Sequence, residues 1–109
     1  MAYNLEITQG TDYTRTFIVQ DINKNVLPLT GYTLVAQIRR NHTSTEYFSF
    51  TMTIISAPLG KVSMFLPHSI TSILDGKYMY DIFLVDSSNI RHKLEDGLVT
   101  ILPNITKIP

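Results

Sequence analysis

The sequence predicts an all-β domain, a sandwich of seven or eight short antiparallel strands with one short helical turn near residues 67–74. Three observations carry that expectation. Apolar and polar residues alternate with a period of two along most of the chain. Turn chemistry interrupts the alternation every eight to twelve residues or so, the rhythm of a sandwich or barrel. No stretch keeps a helical period beyond a single turn. With 109 residues the chain has the length of one domain, so residues 1–109 are expected to form a single unit around one core.

The elements follow in order. Leu5 and Ile7 alternate with Glu6 and Thr8 in a first strand that Gln9 and Gly10 interrupt. Residues 12–20 form a second, with Tyr13, Arg15, Phe17 and Val19 on one side and Thr14, Thr16 and Ile18 on the other. Residues 21–25 make a turn, because Asp and Asn tolerate left-handed backbone and bond nearby amides. Pro28 has no amide to donate, which puts residues 28–31 at an edge or corner. Residues 32–38 form the next strand, with Leu34, Ala36 and Ile38 pointing together, and residues 39–45 are a polar loop. The β-branched and aromatic stretch 47–55 suits a half-buried pleated surface.

A turn at 57–60 leads into strand 61–66, where Val62, Met64 and Leu66 share a face. Pro67 fits a first helical position, and Ile70, Ile73 and Leu74 have helical spacing. Gly76 ends that turn, and residues 77–85 are the strongest strand. Residues 86–89 form a hairpin loop to strand 90–95. Asp96 and Gly97 then permit a bulge or sharp bend, residues 98–102 close the sheet, and Pro103 stops it.

Composition narrows the function. Nine Lys and Arg balance nine Asp and Glu, so the basic excess that drives phosphate binding is missing and no nucleic-acid partner is expected. Arg39 with Arg40, and Arg91 with His92 and Lys93, read as solvated strand ends. Charged residues make up only 17% of the chain against 44% hydrophobic, which hints that part of the surface is covered by something else. The absence of cysteine removes the disulfide staple and suits synthesis in a reducing cytoplasm. No secretory signal or membrane span is expected, so the Asn41 and Asn104 glycosylation sequons are read as coincidence.

A search for chemistry finds no catalytic, cofactor or metal site. His42, His68 and His92 fall apart in sequence with no ligand spacing, whereas a metal needs three or four converging groups. The acids Glu6, Asp12, Asp21, Glu46, Asp75, Asp86, Glu95 and Asp96 mostly occupy turns or strand ends. Asp81 lies inside the strongest strand, and is expected to point outward or to pair with Arg39, Arg40 or Arg91 rather than to act as a buried acid. No nucleophile elbow, phosphate loop or zinc-protease motif is present. The chain is therefore not expected to be an enzyme. Tyr78 and Tyr80 are expected to pack in the sandwich.

Asp75, Gly76, Lys77 and Tyr78 resemble the corner before the sixth strand of immunoglobulin-like domains, where a Gly turns the chain and a Tyr hydroxyl caps the corner. Asp75 is one place closer to the tyrosine than in that pattern, Tyr80 stands where antibody domains have cysteine, and no tryptophan is present. A wider series is Ile7 to Tyr13, Leu29-Thr30-Gly31-Tyr32, Ala36 to Arg39, Gly60-Lys61-Val62, Gly76 to Asp81, and Glu95 to Ile101. In its order and spacing it resembles small immunoglobulin-like virion proteins of tailed phages, similar to the N-terminal domain of baseplate upper proteins.

That resemblance spans about residues 5–103 and implies an immunoglobulin-like fold. It also implies a structural role in a virion, at a tail, baseplate or fibre attachment. The partners it implies are other virion proteins, met by several copies in a symmetric assembly, with no nucleic acid or membrane bound. A capsid decoration protein is an alternative on the same sandwich. A carbohydrate- or receptor-binding module is another, and requires several of Tyr3, Tyr13, Tyr32, Tyr47, Tyr78 and Tyr80 on one solvent face.

Overall fold

The computed structural model describes residues 3–21, 23–41 and 43–105. Seven strands form among them: β1 (Leu5–Thr8), β2 (Tyr13–Ile18), β3 (Thr33–Arg39), β4 (Phe48–Ser56), β5 (Lys61–Leu66), β6 (Gly76–Val85) and β7 (Arg91–Leu102). A helical turn, α1 (His68–Thr71), crosses between β5 and β6. Each strand arises where the two-residue alternation places Leu, Ile, Val, Met or an aromatic on one side. Where the sequence suggests a break at Asp96 and Gly97, β7 instead runs on unbroken for 12 residues. The discontinuity lies earlier: Ile82 pairs with Glu95 but Phe83 with Lys93, leaving Leu94 as the bulged residue.

Two features depart from an all-antiparallel pair of separate sheets. The strands join in one sheet, in the order β1-β7-β6-β3-β4-β5-β2, which rolls up nearly into a barrel. The roll is possible because β4 serves both layers: Phe48, Ser49 and Phe50 pair with β3, and Thr51 onward pairs with β5. β1 runs parallel to β7, from Leu5 opposite Val99 to Thr8 opposite Leu102. A β3-β6-β7 layer thus faces a β4-β5-β2 layer, with β1 beside β7 and not in the β2 layer, where the constant-type immunoglobulin division places a first strand. Alternation alone cannot give this parallel pairing, because strand direction leaves no trace in a period of two.

Inward side chains of both layers make one core. Leu34, Ala36 and Ile38 of β3 and Tyr80, Ile82 and Leu84 of β6 meet Val62, Met64 and Leu66 of β5. Leu5 and Ile7 fill the end beside Val99 and Ile101. Phe50 lies edge-on to both Tyr13 and Tyr80, at 6.5 and 6.4 Å between ring centres, so β4 is keyed to the strands on either side of the barrel. The helical turn is shorter than residues 67–74. Thr71 and Leu74 are buried, whereas Ile73 is exposed.

The predicted corner forms. Gly76 turns with φ at +73°, and the Tyr78 hydroxyl accepts the Asp75 amide at 3.2 Å. Arg40 completes it from the end of β3. Its guanidinium lies 4.1 Å from the Tyr78 ring centre and donates to the Asp75 carbonyl and carboxylate, both at 2.8 Å.

Candidate docking face and buried ion pair

Two arrangements supplement the apolar core, one inside the barrel and one on its surface. The inner one centres on Glu95. Leu94 is the extra residue at the β7 bulge, and Glu95 beside it turns inward opposite Ile82. There it accepts two hydrogen bonds from Arg15 of β2, at 2.6 and 3.1 Å, and a third from the Tyr80 hydroxyl at 2.7 Å. The Arg15 guanidinium is stacked between the rings of Tyr3 and Phe17, 4.1 and 4.7 Å from their centres. The Tyr3 carbonyl lies within hydrogen-bond distance of the same hydroxyl and shares its one proton with Glu95. β1 and β2 are the two ends of the strand order and share no backbone ladder. This network ties β2 to β7, and through Tyr3 to the segment leading into β1.

Its electrostatics are those of a structural lock. Burial, and then the bond to Glu95, push the Tyr80 hydroxyl well above its ordinary value. Burial works against the Arg15 charge, but the bonds to Glu95 outweigh it and raise Arg15 further. Burial likewise raises Tyr13. No buried side-chain polar atom among the described residues lacks a partner. The network therefore acts as a polar cross-link between β2 and β7.

The second arrangement is the outer face of β3, β6 and β7, a shallow concavity of about 1060 Å³. Its outward side chains lie in cross-strand rows. Val35, Phe83 and Lys93 form a middle row, flanked on one side by Gln37, Asp81 and Asp96 and on the other by Thr33, Val85 and Arg91. Val35 and Leu98 are each 45% exposed, large apolar groups in the open. Asp81 points outward, one of the two outcomes expected, and makes no ion pair with another described residue; nor does Arg91. The other charges are engaged at home. Lys93 holds Asp96 at 3.2 Å, and Arg39 donates to the Ser44 carbonyl at 2.6 Å and to Gln37 at 2.9 Å. Exposed apolar surface with a polar surround is the composition of a protein-contact patch. The opposite outer face, on β2, β4 and β5, carries mainly Thr and Ser around Lys61, its one charge among the described residues; it also exposes Ile18 and Ile55, but without the paired acidic and basic rows that flank Val35.

The other candidates do not converge. His68 and His92 are exposed, far from each other along the chain, and His42 lies outside the described residues. His68 does meet an acid. Asp12 accepts its backbone amide at 2.7 Å and faces its Nδ1 at 2.9 Å, and those bonds lower the Asp12 carboxyl. No group of three or more His, Asp or Glu among the described residues is placed to hold a metal. No helix among them is long and apolar enough to cross a membrane. The tyrosines do not assemble a platform. Tyr78 and Tyr80 are buried, Tyr13 and Tyr32 are half-buried, and the two exposed ones, Tyr3 and Tyr47, are each covered on one face by an arginine.

The sequence matches no protein-family model and no curated protein. Sequence reasoning placed Glu95 with the acids of turns and strand ends and missed the ion pair. Its one available signal was Arg15, a cation in the alternating row of Tyr13, Phe17 and Val19, which calls for an inward-facing acid.

Proposed function

We propose that this chain is a structural component of a tailed-phage virion, a tail, baseplate or fibre-attachment protein that works through protein–protein contacts. The observation that carries the proposal is the outer face of β3, β6 and β7. It exposes Val35, Leu98 and part of Phe83 beside two charges, Asp81 and Arg91, that form no ion pair among the described residues. Exposed apolar area of this kind is favourable to cover, since burial returns about 25 cal/mol per Å². The ordered series of short motifs from Ile7 to Ile101 supplies the virion setting.

The remainder of the chain suits the same role. The barrel is stapled by Arg15, Glu95 and Tyr80, so β3, β6 and β7 are presented on a frame that needs no disulfide. Quantitative mass spectrometry of purified particles tests the proposal. The expected result is the chain in the particle, at a copy number matching the tail's symmetry. A number matching the capsid shell would reassign it as a decoration protein, and absence from particles would overturn the virion role.

A further inference from the structure

We infer that the outer face of β3, β6 and β7 is self-complementary and pairs with the same face of a second copy about a two-fold axis. The inference rests on the reading of the chain as an assembly module and names what one of its contacts is.

Strand register lays the charges out in rows. On this face Gln37, Asp81 and Asp96 lie in one row, Val35, Phe83 and Lys93 in the next, and Thr33, Val85 and Arg91 in a third. Along β6 the rows fall at Asp81, Phe83 and Val85, so the acidic and basic rows are equidistant from the apolar one. At roughly 3.3 Å per residue, the outer rows stand about 13 Å apart. The bulge at Leu94 sets this spacing on β7, because it brings Asp96, rather than a neighbour, level with Asp81.

Now let a two-fold axis lie in the plane of the interface, across the strands and over the middle row. The operation exchanges the outer rows. Asp81 and Asp96 of one copy then face Val85 and Arg91 of the other, and the reverse holds at the second site, as an isologous interface requires. Phe83 and Val35 meet their own counterparts at the axis. Lys93 is drawn off the axis by its bond to Asp96.

Each copy in isolation carries the corresponding cost. Asp81 and Asp96 are directly opposite on neighbouring strands, a like-charge pairing that disfavours the sheet. Lys93 offsets only Asp96. A guanidinium from the second copy's Arg91, brought over this pair, removes the repulsion, and Arg91 gains an ion pair that no described residue of its own copy supplies. The same face centred on the acidic row would set carboxylates against carboxylates, so charge selects the register over Phe83.

Sedimentation equilibrium of the full chain, with Asp81→Lys and Arg91→Glu variants and an equimolar mixture of the two, tests this. The wild type is expected to dimerise reversibly with concentration, and each variant alone to weaken the dimer by about ten-fold or more. The mixture is expected to recover it. In the mixed dimer the introduced lysine lies diagonally across from the introduced glutamate, one strand (about 5 Å) over and within reach of its long side chain, and the unaltered Arg91 of one copy stands in the same relation to the unaltered Asp81 of the other. Val35→Glu, at a solvent-facing site, is expected to abolish dimerisation, with circular dichroism unchanged. A wild type that stays monomeric, a dimer indifferent to these substitutions, or a mixture that fails to re-associate would each overturn the pairing. Because the measurement uses the isolated chain, it can fail while the chain is found in virions, and it can succeed if the virion role fails.

Discussion

Arg15 of β2 and Glu95 of β7, 80 residues apart in the chain, form a bidentate ion pair at 2.6 and 3.1 Å across the part of the barrel that has no backbone ladder. Both side chains are largely buried, so the charges are poorly screened and each depends on the other. Truncating either one leaves an uncompensated charge. Arg15→Ala or Glu95→Ala is therefore expected to destabilise the fold by about 3 kcal/mol. The double variant Arg15→Ala with Glu95→Ala should lose clearly less than the sum of the two. Urea denaturation of the four proteins measures the coupling, and simple additivity would show that the pair is not a lock.

The Tyr78 corner is separable into ring and hydroxyl. Tyr78→Phe keeps the buried ring but leaves the Asp75 amide without its acceptor, an expected loss of about 1–2 kcal/mol. Tyr78→Ala also removes the buried ring from the core and loosens Arg40, with an expected loss of about 3–5 kcal/mol. Thermal or chemical denaturation distinguishes the two. A Tyr78→Ala loss below about 1 kcal/mol would contradict the corner.

Tyr80 makes stability depend on alkaline pH. Its proton is held more tightly in the folded chain than in the unfolded one, where the hydroxyl titrates near 10.0. Above that value the folded state binds more protons than the unfolded state, so stability falls as pH rises. Below it the contribution is complete. Melting temperatures between about pH 9 and pH 11 should decline for the wild type. They should decline less steeply for Tyr80→Phe, which starts from a lower stability but has no proton to lose. Tyr13, raised by burial, leaves a residual slope of the same sign.

Gly97 is required for space and not for backbone conformation. A Cβ there would collide with the Tyr3 carbonyl oxygen and stand 2.8 Å from its carbon, so the segment leading into β1 would have to move. That segment is held by the Tyr3 amide on the Asp96 carbonyl and by the Leu98 amide on the Asn4 side chain. Gly97→Ala is expected to cost about 1–3 kcal/mol and to speed hydrogen exchange at the Tyr3 and Leu98 amides. Unchanged exchange at both would mean that the N-terminal segment is held by other contacts.

How much was legible in the sequence follows from which forces are local. Alternation found β1, β5 and the core sides of β3 and β6, because a buried face writes itself into every second residue. The corner was legible through Gly76 and Tyr78, which need a particular turn and a particular hydroxyl. Three things were not. The parallel pairing of β1 with β7 and the double membership of β4 depend on how the sheet closes, and no local pattern records closure. Glu95 looked like one more polar residue near a turn, because the bulge that turns it inward shows only against β6. Asp81 and Arg91 became informative only once pairing set them two rows apart. The His68 contact with Asp12 was invisible for the same reason, the two being 56 residues apart.

The most direct measurement is a reconstruction of the purified particle at a resolution that shows side chains. The expected result is several copies of this chain related by the particle's symmetry, with Val35, Phe83 and Leu98 covered by a neighbouring protein surface. A particle without the chain, or one in which this face is open to solvent, would contradict its role as an assembly module acting through β3, β6 and β7.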